Sequence, residues 1–200
     1  VVAFALLALQ LGRVRDLGPG DGYRLIPGLA ALPDGIATVL AAEDTMASVA
    51  RDLVAPAAGM LFVGRVGGYP VAQEGAQKLK EVSYVHAEAY PAAELKDGPL
   101  ALVGPVVPTV VVLPDDALLD KNLATVEEIR ARRGPVIALT DAALEADERF
   151  AAVLRVPRSE PELAPVLLGI PLQLLAYHAA LALGRDIDRP RNLAKSVTVE

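Results

Sequence analysis

The chain has 200 residues, 53% of them hydrophobic, enough for one sizeable core and one compact domain. Nineteen basic against 25 acidic residues give a formal charge of −6, which disfavours a general nucleic-acid surface, because that needs a basic face. With no cysteine, a disulfide framework, a thiolate nucleophile and a cysteine metal site are excluded, and two histidines leave no room for a histidine cluster.

Residues 1–15 read as a helix, apolar nearly all round before a basic end. The opening apolar run, VVAFALLALQLG, is too short to span a bilayer and lacks the basic leader of a signal peptide. Its length fits a buried helix, so the sequence reads as a piece of a longer chain, starting inside a helix that closes a preceding domain. Residues 17–23, with Gly18, Pro19, Gly20 and Gly22, read as a turn or linker. Short helices are expected over 25–31 and 33–42. Asp44 and Thr45 suit the N-cap region of a helix running to about Val54.

After a break at 56–59, the apolar run from Met60 is the first strand, ending in the glycine loop Gly64-Arg65-Val66-Gly67-Gly68. Such a loop lets a backbone come close to something and could hold a phosphate at a helix N-terminus. It is not a Walker loop and lacks the full dinucleotide fingerprint, and a tight strand-to-helix turn accounts for it better. The spacing predicts a helix over 69–84. Ala72, Gly75, Ala76, Leu79 and Val82 form its buried stripe, and Glu74, Lys78 and Glu81 line up on the opposite side.

Further on, 87–90 is a short strand candidate and 91–96 could begin a helical turn. The run 106–113 is β-branched without alternation, which suits a strand covered on both faces. A helix is expected over 115–133, strands over 136–140 and 150–156, and a long apolar helix over 163–184 kinked or broken at Pro171. Residues 186–200 show no helical period. Strands alternating with helices predict an α/β fold, a three-layer αβα sandwich with a mainly parallel sheet of the flavodoxin or Rossmann type.

Two stretches carry a resemblance. GRVGGYPVAQEGAQKLKEVSYVHAEAYPAAELKDGPLAL and the ending DIDRPRNLAKSVTVE resemble the second sugar-isomerase (SIS) domain of the glucosamine-6-phosphate synthase family. The likeness covers essentially the whole chain. It implies three parts: 1–42, a helical lead-in from a preceding SIS domain; 43–184, the second SIS domain; and 185–200, an active-site tail. It implies conversion of fructose 6-phosphate and glutamine-derived ammonia to glucosamine 6-phosphate, with no cofactor and no metal, because an imine and enediol route needs only acid and base groups. Upstream SIS and glutaminase domains, a homodimer, a cytoplasmic location, and neither nucleic acid nor membrane as partner follow from the same likeness. This stretch alone is then expected to be inactive or nearly so.

Moving hydrogen between C1 and C2 of a sugar needs a base beside the carbonyl. The resemblance gives that role to Glu81, and a carboxylate does it well where partial burial raises its pKa. Lys78 matches a nearby substrate-contacting lysine. Lys195 matches the lysine that attacks the C2 carbonyl, which requires a neutral amine in a desolvated or cation-adjacent setting. Ala194 beside it is implied as a substrate contact. Asp97 occupies the place of a family histidine that helps open the sugar ring from across the dimer. An exposed aspartate side chain has an ordinary pKa of about 3.9 and acts only as a base, so it cannot give the ring oxygen a proton. Ala93 and Val66 also stand where the family has glycine. These departures leave two other readings: a sugar-phosphate-binding regulatory module without catalysis, or an amino-sugar-phosphate deaminase or deglycase. His86 and His178 are read as structural.

Overall fold

The computed structural model describes residues 1–193. Five strands are present: β1 (Met60–Gly64), β2 (Ala87–Pro91), β3 (Thr109–Leu113), β4 (Val136–Thr140) and β5 (Ala152–Arg155). They form one sheet in the order β2-β1-β3-β4-β5, every pair parallel. Around it lie helices α1 (Val2–Val14), α2 (Pro19–Ala41), α3 (Glu43–Val49), α4 (Gly68–Ser83), α5 (Leu119–Arg130) and α6 (Ala164–Ala182). This is the three-layer α/β arrangement expected from the alternation of elements.

Every residue of β1, β3 and β4 is buried, because successive side chains enter two different cores. Met60, Phe62, Val110, Val112, Ile137 and Leu139 face α4 and α6. Leu61, Val63, Val111, Leu113, Val136 and Ala138 face α5 and the segment after β2. Covered on both sides, these strands need no polar alternation, which is why they read as continuous apolar runs.

Several expectations change. α1 does not form part of the core: none of its residues is buried among the described ones, and Phe4 is 77% exposed. The proposed linker and two short helices are one helix, α2, running through Pro27 and Pro33. Both prolines lie on its exposed side, so their rings face solvent rather than the core. α3 stops at Val49 and continues as a π-helical turn, Ala50–Val54; Asp44 and Thr45 do not cap it. β3 begins only after Pro108, since 104–107 close a local turn with a Gly104–Val107 bridge. α5 begins late because Asp115 N–H donates to Asp141 Oδ1 and Leu118 N–H to Asp116 Oδ1, which fixes a turn ahead of it.

α6 runs unbroken through Pro171 and is the hub of the larger core, against α4 on one side and α2 and α3 on the other. α2 and α6 are both long and apolar enough to cross a bilayer by length and composition; α6 turns that surface onto α4 and the sheet. Arg24 ties α2 to the approach of α6, with Nη2 2.7 Å from Glu162 Oε1 and Nη1 on Glu160.

Candidate functional site

α4 positions the predicted polar groups. Val71, Ala72, Gly75, Ala76 and Leu79 are buried against the sheet and α6, fixing the rotation of the helix. Glu74, Lys78 and Glu81 then fall on the flank of that stripe. They are half-buried, not a freely solvated face, while Gln73, Gln77 and Lys80 take the exposed side. Gln173 of α6 donates to Glu74 Oε1 at 3.4 Å. Lys78 Nζ donates to Glu81 Oε2 at 2.8 Å, and Gln77 Nε2 to Glu81 Oε1 at 2.8 Å.

These contacts set the charge state, against expectation. The Lys78 hydrogen bond, helped by Gln77, holds the Glu81 carboxyl below the usual glutamate value, and the opposing push of burial is weaker. Hydrogen bonding to Glu81 raises Lys78 in turn. Partial burial therefore does not lift Glu81, because both carboxylate oxygens have donors. The pair rests as carboxylate and ammonium, with Glu81 already in the form that accepts a proton.

The glycine loop proves to be a tight turn. A Cβ on Gly64 would lie 2.4 Å from the Gly68 backbone. Val66 takes φ 45, left-handed space that suits glycine. Arg65 reaches back to Thr125 of α5, Nη2 to Oγ1 at 3.4 Å. The chain changes direction of travel across the sheet at β1, and such switch points are where open α/β sheets bind ligands. Here the cleft is lined by Gly67, Gly68, Asp115, Asp116, Asp141 and Arg158, with Arg158 Nη1 2.7 Å from Asp115 Oδ2. Three carboxylates against one paired guanidinium make a poor phosphate site.

Asp97 ends the 3₁₀ turn Leu95–Asp97 and is exposed beyond the C-terminal end of β2. α4 runs back from the C-terminal end of β1, so Glu81, near its last turn, sits toward the N-terminal ends of the strands. Lys78 and Glu81 are brought together; within one chain Asp97 is not brought to them. Lys195 and Ala194 lie outside the described residues. His178 Nε2 is 2.9 Å from Glu43 Oε1, joining α6 to α3, a short contact not aligned as a hydrogen bond. His86 is exposed, 3.8 Å from Glu88. Gln77, Tyr84, Arg185 and Arg191 were not anticipated. Gln77 was readable from its i, i+4 spacing to Glu81, whereas the contact of Tyr84 with Arg191 spans 107 positions and leaves no local signal.

The family model for the SIS domain matches residues 54–183. The chain belongs to the SIS domain family. This SIS chain is 48% identical to the glutamine–fructose-6-phosphate aminotransferase (isomerizing) of Pseudomonas putida over 202 residues, all of the chain and 33% of that protein. It thus spans about a third of the length of the curated relatives it matches. Its fold aligns with the C-terminal domain of glucosamine-fructose-6-phosphate aminotransferase from Francisella tularensis at a TM-score of 0.75 and 41% identity, over 81% of this chain and 46% of that one. Glucosamine-6-phosphate deaminase of Thermotoga maritima aligns at a TM-score of 0.68 and 20% identity, over 100% of this chain and 57% of that one, a likeness of fold alone.

Proposed function

We propose that this SIS chain is the sugar-phosphate isomerase part of a glutamine–fructose-6-phosphate aminotransferase. It would turn open-chain fructose 6-phosphate and glutamine-derived ammonia into glucosamine 6-phosphate. The observation that carries the proposal is Glu81: a half-buried carboxylate, held ionised by Lys78 and Gln77, at the position matching the family's proton-transferring glutamate.

In this reading the Lys195 amine adds to the C2 carbonyl and water leaves, giving an imine. Ammonia displaces the lysine, so the nitrogen stays on the sugar. Glu81 takes a proton from C1 and returns it to C2, while the proton of the C1 hydroxyl passes to the imine nitrogen, which leaves an aldehyde at C1 and an amine at C2. Lys78 holds Glu81 anionic and offers an N–H to substrate oxygens. Residues 1–42 serve as lead-in, 43–184 as the SIS domain and 185–200 as the tail. Upstream domains supply ammonia and the phosphate-binding half. The working form is a homodimer in the cytoplasm, with Asp97 reaching a neighbouring copy's site, because within its own chain it lies beyond the C-terminal end of β2 and Glu81 toward the N-terminal ends of the strands.

The test uses the full-length protein with fructose 6-phosphate and borohydride. One sugar-phosphate adduct is expected on Lys195 and none in Lys195→Arg. Glu81→Gln should keep the adduct and lower turnover about a hundredfold or more. An adduct on another residue, or full turnover in Glu81→Gln, refutes the assignment.

A further inference from the structure

Lys78 carries two duties in the reading above, and they conflict. It pins Glu81 by donating to Oε2 at 2.8 Å, and it offers an N–H to substrate oxygens. Whenever its ammonium turns to the sugar, Oε2 loses that donor. A glutamate side chain has several rotatable bonds and, unheld, spreads over many rotamers. Gln77 stands outside the conflict. One helical turn before Glu81, it donates from Nε2 to Oε1 at 2.8 Å, and its side-chain amide makes no other hydrogen bond among the described residues. On an isolated helix such a pair is weak, because water competes for both groups. Here the acceptor is half-buried and its second oxygen already has a donor, so the Gln77 bond fixes the plane of a side chain that is largely ordered. An ionised carboxylate offers about four acceptor positions. Lys78 and Gln77 take one on each oxygen, so a proton from the substrate can be received without displacing either donor.

We infer that Gln77 is a positioning residue, the donor that keeps the Glu81 carboxylate aimed while Lys78 turns to the substrate. This role exists only if Glu81 is the proton carrier proposed above. The far side of Lys78 fits the same division of labour. Glu74, one turn before it, adds an attraction that favours the ammonium, and Gln173 of α6 donates to Glu74 Oε1 at 3.4 Å. The ammonium therefore keeps a second carboxylate within its field when it leaves Glu81. Glu81, among the described residues, keeps Gln77 alone.

The experiment uses the full-length protein, unsubstituted and as Gln77→Met, which keeps the length and helix preference of glutamine and loses the donor. Gln77 is exposed, so the thermal midpoint should stay within about 2 °C, which separates positioning from folding. Losing the Gln77 bond raises the Glu81 pKa, since that bond is second only to Lys78 in holding it low. Carbodiimide-promoted amidation is fastest on the protonated carboxyl and is read by peptide mass spectrometry without substrate. At Glu81 it should rise about twofold or more in Gln77→Met. A stronger base speeds proton removal, so a fall in kcat on the high-pH plateau reports lost aim. That fall should be about three- to tenfold, with KM for fructose 6-phosphate little changed. Plateau kcat at the unsubstituted value, or unchanged amidation of Glu81, overturns the role of Gln77. Full turnover in Glu81→Gln overturns the proton-carrier reading instead, whatever Gln77→Met does to amidation.

Discussion

Gly75 stands where α4 crosses α6. A Cβ built on it would lie 2.6 Å from Leu172 Cδ1, 3.0 Å from Phe62 Cε1 and 3.1 Å from Phe62 Cδ1. Leu172 and Phe62 are each 1% exposed, so neither has open space to swing into. Gly75→Ala therefore forces the helices apart or drives Leu172 off its rotamer, an overpacking cost of about 2–3 kcal/mol. Alanine in a helix interior returns about 1 kcal/mol over glycine. The net is a destabilisation of about 1–2 kcal/mol, or roughly 3–6 °C in Tm for a domain of this size. Calorimetry and urea titration read it as a lower Tm and a lower midpoint with unchanged m. A Tm that stays level or rises would show slack between α4 and α6 and refute the argument that glycine is there for close approach.

Replacing Lys78 by Met removes the main influence holding Glu81 low, so its pKa moves up. For the sugar amination proposed above for the full-length protein, the acidic limb of kcat/KM should then shift to higher pH. The same pair stabilises the fold above the unfolded glutamate pKa and stops doing so as pH falls through the depressed folded value. Lys78→Met should accordingly cost stability at neutral pH and little in acid; a uniform loss across pH would contradict the pairing. Thr140 is fully buried, its hydroxyl donating to Leu113 O at 2.7 Å and accepting Ala142 N–H at 2.9 Å. Thr140→Val leaves both backbone groups unpaired and should cost about 2–3 kcal/mol, read by urea denaturation. Val66→Gly relieves a β-branched residue at φ 45 on an exposed loop and should raise stability by up to about 1 kcal/mol; a measured loss would mean that the valine side chain makes contacts which outweigh the strain.

Strands were legible where an apolar run is bounded by glycine or proline: β1 and β4 begin and end as their composition implies, and the stripe of α4 follows its spacing. α2 was not, because Pro27 and Pro33 read as breaks, and only their exposure makes them tolerable inside one helix. The start of α5 was hidden because Asp141, 26 residues downstream, fixes Asp115. At the candidate site, the closeness of Lys78 and Glu81 follows from the helical repeat. The direction of the Glu81 shift does not, since it depends on whether donors or burial prevail at one side chain. The hold of Tyr84 on Arg191 joins residues that no local pattern relates.

The position of α6 in the chain bears on how the molecule comes into being. The buried residues of the smaller core end at Ala138, whereas the larger one takes Leu163, Ala164, Leu167, Leu168, Leu172, Leu175, Ala176 and Ala179 from the closing helix and its approach. On the ribosome, the layer over α5 has its interior before α6 exists, while Phe62 and Leu79 await a partner until residue 179 has cleared the exit tunnel. During that interval the α4 side of the nascent sheet offers greasy surface to any chaperone that meets it.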